Sequence, residues 1–130
     1  MKRTLILTTA LIAAATVAQA QDRQVNLLSW GGAYGNSHVQ AYGRPFEEKT
    51  GIKVQVSDAD NPATPVKAQV EAGNVSIDVA SVDYADAVRL CDEGLLEVID
   101  PAILAPTADG TAAADDFIPG AVTDCFVGTD

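Results

Sequence analysis

The sequence predicts an α/β fold with a parallel β-α-β-α-β-α core. Three observations predict it. Short apolar runs recur between residues 25 and 82, each is followed by a stretch with helical spacing of apolar residues, and each of those stretches ends at a glycine. Such alternation demands parallel strands joined by right-handed crossovers, with helices covering the faces of the sheet.

Taken in order, Val25-Asn26-Leu27-Leu28-Ser29-Trp30 reads as a buried strand, broken by Gly31-Gly32. A helix is expected from Ala33 or Ser37 to Thr50, with Val39, Tyr42 and Phe46 along one face. Pro45 falls inside it and should kink or divide it, and Gly51 should stop it. Ile52-Lys53-Val54-Gln55-Val56 alternates like a strand, although buried parallel strands are often apolar on both faces. Asp58 to Ala63 is expected as a loop. Thr64 is expected to cap the next helix with Pro65 at its first position, and Val66, Val70 and Ala72 carry it to Gly73. Ile77 to Val82 is the third expected strand. Asp83 is expected to cap a helix bearing Ala87, Val88 and Leu90, which stops at Gly94. Leu95 to Ile99 is a short apolar run ending at Asp100-Pro101. From Ala105 to Asp116 the composition turns loop-like, with Pro106, Asp109-Gly110 and a run of alanines. Phe117-Ile118 and Cys125-Phe126-Val127 are short apolar pieces able to rejoin the core.

The chain has 130 residues, is 48% hydrophobic and carries a net charge of −10. Its start has the order of an export signal. Met1-Lys2-Arg3 is cationic, Thr4 to Val17 is uncharged and mostly apolar, and Ala18-Gln19-Ala20 is an A-x-A cleavage site. Residues 1–20 are therefore expected to leave as a signal peptide, and residues 21–130 to act as a soluble periplasmic protein. Loss of Lys2 and Arg3 makes the charge more negative still. That balance argues against nucleic-acid binding, since little would neutralise a run of phosphates. The apolar share argues against disorder, and no later stretch is long enough to span a membrane. Cys91 and Cys125 are the two cysteines, and an oxidising compartment favours a disulfide between them; two buried thiols are the alternative.

Open parallel sheets bind ligands beyond the carboxyl ends of their strands. Three segments fall there: Trp30-Gly31-Gly32-Ala33-Tyr34, Asn61-Pro62-Ala63-Thr64 and Val82-Asp83-Tyr84. In the first, Gly31 and Gly32 allow close approach of backbone to a ligand, or form a plain strand–helix turn. Trp30 and Tyr34 offer flat walls suited to an ammonium group, although Trp30 also fits a core position. Asp83 adds a negative charge, or acts only as a cap. Tyr84 reads as packing. Helix N-termini direct partial positive charge at the same rim, which Asp83 would have to offset.

Catalytic patterns fail. Gly31-Gly32-Ala33 does not fit GxGxxG, and GxSxG is absent. His38, the one histidine, is expected on a solvent-facing helix surface. Asp58-Ala59-Asp60 starts like a calcium loop, but Pro62, Ala63 and Gln69 occupy positions where a ligand, the turn glycine and a bidentate Glu belong. Two cysteines and one histidine are too few for zinc. Asn74-Val75-Ser76 matches a glycosylation sequon, a pattern frequent by chance. No metal, cofactor or enzymatic activity is expected.

Several phrases carry a family resemblance. They are Ser29-Trp30-Gly31-Gly32-Ala33-Tyr34-Gly35, then Pro45-Phe46-Glu47-Glu48-Lys49-Thr50-Gly51-Ile52-Lys53-Val54, Ala68-Gln69-Val70-Glu71-Ala72-Gly73, Ile77-Asp78-Val79 and Glu93-Gly94-Leu95-Leu96. Together they resemble the N-terminal part of bacterial extracellular solute-binding proteins of ABC transporters, with the spermidine/putrescine branch the nearest in pattern. The resemblance implies a periplasmic-binding-protein-like lobe in a two-lobed, hinged receptor. Such a receptor is monomeric at full length, closes on a small solute and docks on a membrane permease. It places Trp30 at an aromatic ligand wall, Gly31, Gly32 and Tyr34 in the loop beside it, and Asp83 in a ligand-contacting loop. It also implies that residues 21–130 are a partial N-terminal lobe, truncated before the second lobe, so that the isolated chain binds ligand weakly or not at all.

The function expected from this resemblance is the substrate-binding component of an ABC importer for polyamines or a related small solute. A sensing module presenting solute to a membrane receptor, and a periplasmic enzyme on a similar lobe, are the alternatives. The missing nucleophile, base and metal patterns count against the enzyme.

Overall fold

The computed structural model describes residues 23–128. The expected leader at residues 1–20 lies outside the described residues.

Three parallel strands form one sheet in the order β2-β1-β3. β1 (Gln24–Ser29) is central, β2 (Lys53–Asp58) flanks it along its whole length, and β3 (Val79–Ala80) lies on the other side. The register pairs Ser29 with Asp58 and Leu28 with Ala80, which brings the carboxyl ends of all three strands to one edge. The expected third strand over Ile77–Val82 contracts to two residues. Asp78 ends it on one side by turning its carboxylate onto the Asn26 backbone N–H at 2.7 Å and the Asn26 side-chain amide at 3.1 Å. Ile77 and Val82 pack against the core instead.

Helices cover both sheet faces. On one face α1 (Gly32–His38), a π-helical turn (Val39–Gly43) and α2 (Arg44–Thr50) follow without a break. Proline lacks an N–H and its ring crowds the carbonyl four residues back. The wider π turn immediately before α2 changes the helical register around Pro45, so the expected division is a change of pitch. The expected apolar face is not buried: Tyr42 is 60% and Phe46 39% exposed. Contact with the sheet is made through glycines instead. A Cβ on Gly43 would lie 3.8 Å from Val54, and one on Gly35 3.7 Å from the Ser29 hydroxyl. Gly51 closes α2 with a left-handed backbone, as expected. Glu47 then fastens α2 to β2 by accepting the Val54 N–H at 2.7 Å, the main reason its carboxyl is held below the usual carboxylate range.

On the other face lie α3 (Ala63–Glu71) and α4 (Tyr84–Asp92). α3 begins before the expected cap. Asn61 accepts the Ala63 N–H at 3.0 Å, and Thr64 and Pro65 fall inside the first turn. Asp83 occupies the N-cap position of α4 in extended conformation, but its side chain makes no capping hydrogen bond. Leu28, Ala63, Val66 and Leu90 form the buried core, with Leu95 and Leu96 of the short apolar run packed against it from an irregular segment. Lys67 bridges α3 to the end of α4 through Glu93 and also pairs with Glu71 on its own helix, which raises the ammonium, while the Lys67 contact lowers the Glu93 carboxyl.

A short 3-10 turn (Pro101–Ile103) and α5 (Ala113–Asp116) precede a return to the core. Ala121 is buried, Val122 and Val127 form an antiparallel bridge, and the Ile99 N–H donates to the Asp124 carbonyl at 2.7 Å. A disulfide joins Cys91, near the end of α4, to Cys125. Among the described residues no helix is long and apolar enough to cross a membrane.

Candidate ligand-binding site

The sheet order decides which side chains meet at its carboxyl edge. Trp30 and Gly31 leave the central strand, with Asp58 at the end of β2 on one side and Ser81, Val82 and Asp83 beyond β3 on the other. Side chains as well as backbone cross this edge. The Tyr34 hydroxyl lies 3.4 Å from the Ser81 hydroxyl, which joins the first rim segment to the third. The Asp58 carboxylate lies against Gly31, joining the first segment to β2. Trp30 is half-buried, whereas Tyr34 is 46% exposed.

The two glycines differ in why they are needed. Gly31 has φ 79° and Gly32 φ 56°, both in the left-handed region that other residues rarely adopt. A Cβ on Gly32 would meet nothing within 4 Å, while one on Gly31 would lie 3.0 Å from both Cγ and Oδ2 of Asp58. Gly32→Ala should therefore lose only the backbone preference, ~1–2 kcal/mol. Gly31→Ala should lose more, because Asp58 must also move. Urea unfolding of the two variants checks the ordering, and an equal or smaller loss for Gly31→Ala would contradict this packing.

Of the three expected rim segments, the second is corrected in part: Asn61 and Thr64 are exposed just beyond β2, and Pro62 and Ala63 are withdrawn. Asn61 is engaged with Ala63, Pro62 and Ala63 are buried, and Thr64 lies within α3. β2 contributes Asp58 instead, which sequence reasoning placed in a loop because alternation faded after Val56. The signal that could have found it is positional: a polar residue closing a parallel strand lies on the binding edge. His38 is also corrected. It is half-buried rather than solvent-facing, with Nδ1 3.2 Å from the buried Ser29 hydroxyl. Tyr84, expected to pack, is 59% exposed, with its ring edge-on to Phe126 at 5.4 Å. Beside it lies an open apolar concavity of about 290 Å³ lined by Tyr84, Ile118, Ala121 and Phe126 among others.

The edge thus gathers two carboxylates, an indole, a phenol and a glycine turn, with α3 and α4 starting close by. It offers no ligand set for a metal: among the described residues no group of three His, Cys, Asp or Glu is suitably placed. A parallel sheet clad on both faces, with polar and aromatic groups gathered at its carboxyl edge, defines the class as an α/β ligand-binding lobe.

Comparison with known proteins refines that class. Residues 41–128 match the bacterial extracellular solute-binding protein family, and the chain belongs to that family. It is 38% identical over 118 residues to a gamma-aminobutyric acid-binding protein of Pseudomonas aeruginosa, covering 91% of this chain and 32% of that protein. The crystal structure of an ABC transporter protein from Rhodopseudomonas palustris superposes with a TM-score of 0.65 at 30% identity, covering 80% of this chain and 30% of the other. The binding protein MotA of A. tumefaciens, in complex with glucopine, gives a TM-score of 0.69 at 31% identity, covering 80% and 29%. AgtB of A. tumefaciens, in complex with agropinic acid, gives 0.60 at 31%, covering 65% and 26%. The chain spans about a third of the length of its Pseudomonas aeruginosa relative. The family is one of solute-binding proteins, not enzymes, and the Pseudomonas aeruginosa and A. tumefaciens relatives are binding proteins, in agreement with the failed catalytic patterns.

Proposed function

We propose that this chain carries part of the solute-contacting surface of a periplasmic receptor that captures a small amine-bearing solute and delivers it to the membrane permease of an ABC importer. The observation that carries this reading is the placement of Asp58 and Asp83. Both side chains are exposed, they flank Trp30-Gly31 across the sheet edge, and neither takes part in an ion pair among the described residues. An ammonium group seated over the Trp30 or Tyr34 ring gains cation–π attraction of ~0.5–2 kcal/mol, and the carboxylates add charge-assisted hydrogen bonds.

Two solute types suit this edge. A polyamine such as putrescine or spermidine matches two separated carboxylates and the overall charge of −10. A zwitterion such as gamma-aminobutyric acid also uses the helix starts of α3 and α4, whose partial positive charge suits a carboxylate. The Pseudomonas aeruginosa relative, named for that compound, supports the second type.

Trp30 is the one tryptophan of the chain, so its fluorescence reports on this edge directly. Titration with putrescine, spermidine, gamma-aminobutyric acid and glucose into the millimolar range tests the proposal. The amines should change the emission and glucose should not. Replacing Asp58 and Asp83 together by Asn should weaken the response by about tenfold or more, the equivalent of one charged contact. A stronger response to glucose, or an amine response indifferent to the double replacement, would refute the amine reading.

A further inference from the structure

We propose that His38 is a positioning residue of the solute site, holding the Tyr34 ring across the sheet edge onto Ser81. The inference rests on the amine-receptor reading above and adds a residue to it. His38 is tied on one side and stacked on two others. Its Nδ1 lies 3.2 Å from the hydroxyl of Ser29, which is 0% exposed. Its ring centroid is 4.5 Å from that of Tyr34 and 5.6 Å from that of Tyr42, both in tilted contact. The spacing Tyr34, His38, Tyr42 is one helical turn at each step, so the three rings form a ladder along α1 and the π turn.

The anchor and the exposed end of this ladder differ. Ser29 is the last residue of the central strand, paired with Asp58, and cannot move without disturbing the sheet. Tyr34 is 46% exposed and reaches 3.4 Å from Ser81, a long contact that does not fix the ring alone. The imidazole links the two. Through it, the fixed end of β1 sets the position of an exposed aromatic wall that spans from the glycine turn to the far side of the edge. An ordered wall binds a flat or cationic group better than a freely rotating one, because less side-chain freedom is lost on binding. The buried Ser29 hydroxyl explains why position 38 favours a ring that carries a nitrogen: an apolar ring there leaves that hydroxyl without its partner.

Three variants of the whole chain separate this role from a purely structural one. His38→Phe keeps the ring ladder and removes the bond to Ser29. His38→Asn keeps a polar atom near the Nδ1 position and removes the stacking. Ser81→Ala removes the far contact from a half-buried position and leaves His38 untouched. Tyrosine ring resonances are recorded in ¹³C-labelled protein without solute, then during titration with putrescine, with gamma-aminobutyric acid and with glucose. The expected result is a shift of the Tyr34 ring signals in all three variants, with affinity for the responding solute weaker by about 2- to 10-fold. Unchanged Tyr34 signals in both His38 variants would overturn the proposal. So would shifted signals with unchanged affinity, which would make His38 structural only. If glucose disturbs Tyr34 or Asp83 in the unsubstituted chain as strongly as the amines do, the amine-receptor reading fails. The solute-free spectra then decide the link between His38 and Tyr34 independently.

Discussion

Removing the Cys91–Cys125 disulfide is expected to lower stability by ~4 kcal/mol, the loop-closure entropy for a separation of 34 residues. The segment after Pro101 explains why the loss falls on one region. It holds to the rest through the buried Ala121, the Ile99–Asp124 hydrogen bond and this bridge. Without the bridge, Phe126 is free to leave Tyr84, and the start of α4 loses its cover next to Asp83. Urea unfolding of the Cys91→Ala, Cys125→Ala double variant checks the magnitude, and amide exchange locates it. Exchange should accelerate first over residues 117–128. A midpoint unchanged from the parent chain would show that this segment is held by other means.

Leu90→Ala should cost a similar amount, about 2–5 kcal/mol. Leu90 is 0% exposed and packs with Leu28, Ala63 and Val66, the set that joins α3 and α4 to the central strand. Few other large side chains are fully buried, so neighbours have little with which to refill the space. The cavity term therefore adds to the lost transfer term. Small domains have a net stability of only about 5–15 kcal/mol, so this single change should shift the urea midpoint strongly. Val98→Ala is the control. Val98 is 77% exposed, and its truncation should move the midpoint little. Equal losses at the two positions would contradict the assignment of the core.

Most of the fold was legible because its signals are local. Gly51, Gly73 and Gly94 stop their helices with positive φ, as their positions after apolar-periodic stretches implied. The parallel order followed from alternation alone. What the sequence could not show was set by contacts between distant residues. β3 is short because Asp78 turns back onto Asn26, a partner 52 residues away. The long helix packs through Gly35 and Gly43 rather than through Tyr42 and Phe46, because close approach to the sheet selects the smallest residues. Topology led to the expectation of Trp30, Gly31, Gly32, Tyr34 and Asp83 at the carboxyl edge, and the sheet order places them there. Asp58, Ser29, His38 and Ser81 were not read from the sequence as part of this edge, because their contacts depend on the register of β1 with β2 and on a contact across the edge.

An amine-bearing solute should meet this chain at the carboxyl edge of its sheet. Amide chemical-shift mapping during titration with putrescine or gamma-aminobutyric acid tests it most directly, since it registers weak binding and locates it. The largest shifts should fall on Trp30 to Tyr34, Asp58 and Asp83, and should disappear in the Asp58→Asn, Asp83→Asn double variant. Shifts centred instead on the concavity lined by Tyr84, Ile118 and Phe126, or reproduced by sodium chloride at equal concentration, would contradict the account.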